Sequence, residues 1–153
     1  MSFSNPLLKR IITVLEGDVI PKPGSIVYRK LGPAEHTGIY IGHQRIIELD
    51  GSGRIEEVNY QEFCNNNPFC QIYVACDRAG NVLSDYSIKF QAESMLGIRR
   101  SYNVIWDNCH QFVAGCIEND FENANNFFWM IEDCIRGHFS VSKVHWRTIE
   151  NSW

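Results

Sequence analysis

"HTGIYIGHQRIIELDGSGRIEEV", residues 36 to 58, is the stretch whose reading decides the fold. It holds three short β-prone runs, broken near Gly42-His43 and again at Asp50-Gly51-Ser52-Gly53. Gly, Asp and Ser at those breaks supply the backbone freedom and local hydrogen bonds of tight turns, so the runs fold back on one another as an antiparallel meander. Side chains alternate along a strand, so His36, Gly38 and Tyr40 share a face, and the glycine clears space beside the histidine. The next strand, "RIIELD", carries Glu48 and Asp50 on one face, and the turn sets one of them opposite His36 and the other on the diagonal. A carboxylate so placed accepts an imidazole N–H and fixes the tautomer of the ring.

Outward from this meander the pattern changes to blocks of helix and strand. Leu7, Leu8, Ile11, Ile12 and Leu15 lie on one helical face, Pro6 suits the first turn and Gly17 the stop, which predicts a helix over 6–16. "GDVIPKPGSIVYRK" has β-prone runs at 18–20 and 25–29, and "FCQIYVAC" at 69–76 reads as a further strand. "DYSIKFQAESMLG" reads as a helix ending at Gly97. Cys109, Phe112, Val113, Cys116 and Ile117 form the apolar stripe of another, with Asp107 or Asn108 as its cap. A last helix is expected over 122–136, stopped by Gly137. Elements grouped in blocks, not in strict alternation, favour α+β over a doubly wound parallel sheet. The 153 residues suit a single domain.

Composition excludes some partners. A net charge of −4 with no cluster of Lys and Arg argues against a protein that binds nucleic acid by neutralising phosphates. Lys9 and Arg10 interrupt the N-terminal apolar stretch, which has no small-residue cleavage site, so no secretory signal is expected. The longest run of large apolar residues, Phe127 to Ile131, is far short of a membrane span. No transmembrane segment is expected, and the reading is a soluble, cytoplasmic protein, although non-classical secretion leaves no mark in a sequence. On a helix "FFWMI" covers every face, so Trp129 is expected near the surface, where transient contact with a membrane is open to it. The six cysteines are expected to stay reduced. Cys64, Cys70 and Cys76, spaced by six, lack the C-x-x-C pairs of zinc sites, and Cys134 with His138 supplies only two ligands. Core thiols are the better reading, with no metal and no cofactor expected.

"YNVIWDNCHQFVAGC", residues 102 to 116, sets Cys109 at the start of its helix. A free thiol titrates near ~8.5, and the unpaired amides of a first helical turn favour the thiolate and offer donors to an oxyanion. A nucleophile also needs a base, and there are five histidines. His110 is adjacent, but successive helical residues point about 100° apart, which turns it away from the sulfur. His138 and His145 lie in a C-terminal segment with no visible constraint, and His43 sits in a turn. His36, rigid at the start of a strand with a carboxylate near it, is the preferred base.

The segments "GDVI…PG…EHTGIYIG…RIIEL" and "YNVIWDNCHQFVAGC", in this order, resemble the lecithin:retinol acyltransferase-like family, circularly permuted relatives of papain-like and NlpC-type cysteine peptidases. The resemblance covers most of residues 17 to 117. It implies a permuted papain-like (NlpC-type) domain, with an antiparallel sheet or small barrel packed against the helix that bears the cysteine. It also implies a nucleophile at Cys109, a base at His36 that opens the H-x-G-I-Y-x-G strand, and an orienting residue at Glu48. Asn108, Tyr40, His110 and Trp106 are then candidates for substrate or oxyanion contacts. His110-Gln111 stands where the family has Glu-His, and Glu48 replaces the histidine of animal phospholipase members. Eleven residues separate Gly24 from His36, a long insertion that reads as a cleft wall or lid. The implied activity is a cysteine-dependent acyltransferase or hydrolase acting on an acyl-bearing small molecule or lipid. A peptide or amide hydrolase is the alternative, and a non-catalytic structural or binding domain the third reading.

Overall fold

The computed structural model describes residues 17–31, 34–101 and 108–150. The expected helix at 6–16, Trp106 and Asp107 lie outside the described residues. The fold is α+β. Six strands, β1 (Ser25–Leu31), β2 (Ala34–Gly42), β3 (Arg45–Leu49), β4 (Ile55–Asn59), β5 (Ile72–Cys76) and β6 (His145–Thr148), form one sheet in the order β4-β3-β2-β1-β5-β6. Every strand pair in it is antiparallel. The helices are α1 (Tyr60–Phe63), α2 (Tyr86–Ser94), α3 (Cys109–Glu118) and α4 (Phe128–Phe139).

Alternation along the strands separates two apolar faces. Ile26, Ile39, Ile47, Leu49 and Ile55 pack against Ile88 of α2, Phe112, Val113 and Cys116 of α3, and Ile131 and Ile135 of α4. Val27, Tyr40, Ile46, Val58 and Val74 turn the other way, onto Tyr60 and Phe63 of α1 and onto Cys64 and Cys70 beyond it. The meander β1 to β4 is as the sequence predicts, with its turns at 43–44 and 51–53. The long interval between Gly24 and His36 is not a lid over the sheet, because it contains β1, paired with β2 on one side and β5 on the other.

Other boundaries differ for local reasons. The last helix starts at Phe128, not at 122, because side chains of Asp120 and Asn123 capture the backbone amides of Glu122 and Asn125 and hold that stretch in turns. It runs through Gly137 to Phe139, which packs on the core, and stops at Ser140 in the left-handed region. Residues 18–20 form no strand, only a bridge from Val19 to Ile149. The helix read over 85–97 spans Tyr86–Ser94, capped by the Asp85 side chain on the Ser87 amide. Two elements went unread. One is α1, held by a capping box between Asn59 and Glu62, and the other is β6, paired with β5 at the sheet edge.

The glycine predicted to clear space beside His36 has a different neighbour. A Cβ on Gly38 would lie 2.6 Å from Ile46 Cγ2, 3.0 Å from the Ile47 carbonyl oxygen and 3.1 Å from the Phe63 ring. Ile46, the Ile47 carbonyl and the Phe63 ring together close around the space that the glycine leaves. Gly38→Ala is therefore expected to cost about 1–3 kcal/mol through overpacking, read as a lowered midpoint in chemical denaturation. An unchanged midpoint would mean that Phe63 has room to move.

Candidate functional site

The site forms where two strands of the meander part. The β2–β3 ladder runs from Gly42↔Arg45 to Ile39↔Ile47, and beyond it His36 pairs only with Arg29 of β1 and Glu48 only with Glu56 of β4. His36 Nε2 lies 3.5 Å from Glu48 Oε1, and the imidazole packs on the Phe63 ring with 5.2 Å between centroids. Asp50, the other carboxylate on that face, is committed to its own turn. Its Oδ1 accepts from the Ser52 amide at 2.8 Å, the Ser52 hydroxyl at 2.6 Å and the Arg54 amide at 3.0 Å. Glu48 is thus the carboxylate that meets His36.

Cys109 is the first residue of α3 and only 5% exposed. Asn108 caps the helix, with Oδ1 accepting from the amides of His110 and Gln111 at 3.0 Å each. Its Nδ2 donates to the Asn126 carbonyl at 2.9 Å, which ties the start of α3 to the approach to α4. Asn108, a candidate for substrate or oxyanion contact, is thus also the cap that the sequence offered. That cap does not take up the Cys109 amide.

The Cys109 and His36 side chains are hydrogen-bonded to each other. Burial pushes the Cys109 thiol up, but hydrogen bonding with His110 and His36 and the electrostatic pull of both rings bring it down to about 5. Burial pulls the His36 imidazole down, but hydrogen bonds to Cys109 and Glu48 and their negative charge lift it to about 9. Each group thereby favours the charged form of the other.

His110 departs from its expected orientation. Its Nδ1 lies 3.7 Å from the Cys109 sulfur and 3.0 Å from Thr37 Oγ1. The 100° step between neighbours leaves out the tilt of helical side chains toward the N-terminus, which swings the longer imidazole back over the preceding residue. Thr37 and Phe63 are contacts that the sequence reading missed. Strand alternation, which sends Thr37 to the face opposite His36, was the available signal for the first. Tyr40 is placed elsewhere, its hydroxyl accepting from the Gln44 amide at 3.3 Å and its ring facing Tyr60. His138 is constrained after all, with Nε2 at 2.8 Å from Asp85 Oδ2, and His145 opens β6.

The other cysteines have different surroundings. Cys64 and Cys70 form a disulfide, so the expectation of six reduced thiols fails for this pair. Spacing alone carries no sign of it. Buried Cys116 has its thiol pushed well above the usual range, and Cys134 is pushed up to about 12 by burial and by Glu118, whose Oε1 accepts from its sulfur at 3.1 Å. Among the described residues no group of three or more His, Cys, Asp and Glu side chains gathers as a metal site. No helix among them is long and apolar enough to cross a membrane.

Compared with protein-family models and with curated proteins, the chain matches none.

These environments predict selective chemistry. Iodoacetamide at pH 6 is expected to alkylate Cys109 at least about a hundredfold faster than Cys116 or Cys134, because only the thiolate attacks. Peptide mapping by mass spectrometry checks this, and equal labelling of the three would contradict the assigned environments.

Proposed function

We propose that the protein is a cysteine-dependent acyltransferase or hydrolase that carries its acyl group as a thioester on Cys109. The observation that carries this reading is a nearly buried thiol, lowered to about 5, hydrogen-bonded to an imidazole that Glu48 braces. An inert core thiol would follow Cys116, whose burial raises it.

The chemistry follows from the arrangement. The Cys109 thiolate attacks the acyl carbonyl, and the Cys109 amide, outside the reach of the Asn108 cap, donates to the developing oxyanion. The His36 imidazolium gives its proton to the leaving group as the carbonyl reforms, which leaves a thioester and a neutral imidazole. Water or an alcohol or amine acceptor then yields its proton to His36 and attacks the thioester, and the sulfur departs as the thiolate. Glu48 keeps the ring oriented and favours its charged form throughout. In this scheme the fold is a permuted papain-like domain whose sheet packs against the helix that bears the nucleophile.

A lipid acyl donor is favoured by the surface beside this helix. Phe127 and Trp129, 56% and 58% exposed, flank Phe128, which turns inward within 6.0 Å of the His110 ring. The Asn108–Asn126 hydrogen bond brings this apolar edge to the start of α3. A cell-wall amidase or peptidase is the second reading, favoured by the Cys64–Cys70 bond, since disulfides persist mainly in oxidising compartments.

Incubation with short-chain phosphatidylcholine is expected to add one acyl mass to Cys109, and Cys109→Ala to abolish the adduct. An adduct formed only with peptide or muropeptide substrates would transfer the assignment to the amidase. His36→Ala is expected to lower turnover roughly 10²–10⁴-fold, as loss of a general acid–base does.

The pH dependence of turnover is expected to be a bell with limbs near 5, below which the thiolate is protonated, and near 9, above which the imidazolium is lost. Glu48→Gln removes a cause of the raised His36 value, so its alkaline limb moves to lower pH while the acid limb holds. An alkaline limb that stays in place would remove Glu48 from this role.

A further inference from the structure

Two imidazoles, not one, approach the sulfur. β2 supplies His36 to the Cys109 thiolate, and the next residue, Thr37, points to the other face and meets His110. The His110 Nδ1 atom is 3.0 Å from the Thr37 hydroxyl and 3.7 Å from the Cys109 sulfur. Thr37 is fully buried, so its hydroxyl holds the ring at a fixed point of the core. On its other side the ring meets Phe128 edge-on at 6.0 Å. Packed between these neighbours, the imidazole presents Nδ1 toward the reacting atom.

The proton on this nitrogen decides what the contact does. If Nδ1 lacks it, the Thr37 hydroxyl donates to the ring and the sulfur gains nothing. If Nδ1 carries it, the N–H is shared between the Thr37 oxygen and the thiolate. We propose that His110 Nδ1 carries a proton and donates it as a hydrogen bond to the Cys109 sulfur, making His110 a second stabiliser of the nucleophile, positioned by Thr37. This rests on the reading of Cys109 as the nucleophile.

The need arises in the catalytic cycle. Once His36 has protonated the leaving group it is neutral, and it must remain so until an acceptor supplies a proton. When the thioester breaks down, the sulfur leaves as an anion in a site almost closed to water. His36 is regaining its proton at that moment, whereas a His110 N–H already in place stabilises the departing thiolate with no proton transfer. No proton is consumed by this role, and His36 alone performs acid–base exchange. Among the described residues, the titratable groups around the sulfur are His36 from β2, Glu48 behind it from β3, and His110 from α3. The α4 side meets the first turn of α3 through the Asn126 carbonyl and the Phe128 ring, neither of which titrates.

The test is the pH profile of Cys109 alkylation by iodoacetamide, which requires no substrate. The wild type is expected to show a midpoint near 5. His110→Gln is expected to raise it by about one to two units, lowering the rate at pH 6 about twofold to about tenfold. His36→Gln is expected to raise it independently, and the double variant to pass above the ordinary thiol near ~8.5, because burial then acts unopposed. Thr37→Val, which leaves the imidazole but removes its anchor, is expected to give a smaller rise and covers the case in which His110→Gln does not fold. Nitrogen-15 NMR of the wild type supplies a reading without mutation, with His110 Nδ1 expected in its protonated range and shifting when Cys109 is alkylated.

A His110→Gln profile that superimposes on the wild type, or an Nδ1 without a proton between pH 5 and 9, overturns the proposal. A wild-type Cys109 that does not react at pH 6 overturns the nucleophile reading itself, which separates the two failures.

Discussion

A thiol that is to react as an anion where water scarcely reaches needs donors to offset its burial, and the local architecture answers that constraint. Burial by itself drives a thiol toward neutrality, as it does at Cys116 on the same helix. At Cys109 the same penalty is the largest single influence, and it is outweighed only because donors converge on the sulfur. Their convergence depends on the β2–β3 ladder ending at Ile39↔Ile47. Past that pair, the strand ends are relieved of pairing with each other and can serve the first turn of α3.

Support for the imidazole comes from the far face of the sheet. Phe63 helps close the space left by Gly38, stacks near His36, and has its carbonyl held by Arg29 Nε at 2.8 Å. Cys64 follows it directly and is bound to Cys70, so the short segment after α1 is closed on itself. The Asn59–Glu62 capping box fixes the other end of that helix. Orientation of His36 therefore rests on Glu48 at one edge of the ring and on a braced aromatic against its face. A hydrogen bond alone leaves the ring free to swing about it; the packed aromatic removes that freedom.

How much of this was legible follows from which signals are local. Alternation and turn residues between His36 and Val58 predict the strands, their turns and the shared face of His36 and Glu48, because each is fixed by neighbours a few residues apart. Choosing Glu48 over Asp50 needed the structure, since the decision falls on hydrogen bonds that Asp50 makes within its own turn. The start of α4 was misplaced because Asn-rich sequence supports both a helix and side-chain-closed turns. β6 was missed because "HWRT" is too short and too polar to show alternation, and becomes a strand by pairing with β5. "NYQE" did carry a capping-box signal for α1, which a closer reading of Asn59 and Glu62 would have used.

The orientation of His110 shows why residue direction is harder to read than residue spacing. Angular separation around a helix axis describes where Cα–Cβ bonds point, and on that measure neighbours diverge. The end of a long side chain is governed instead by tilt toward the N-terminus and by whatever tertiary contact captures it. Here the captor is Thr37, seventy-three residues away in sequence, and it lies next to His36 because strand alternation sends consecutive residues to opposite faces. One dipeptide of β2 therefore addresses the sulfur from two sides, directly through His36 and indirectly through the ring that Thr37 holds. The histidine at position 110 acts in the same direction as the helix start, toward stabilising an anion on Cys109. A carboxylate there would oppose it.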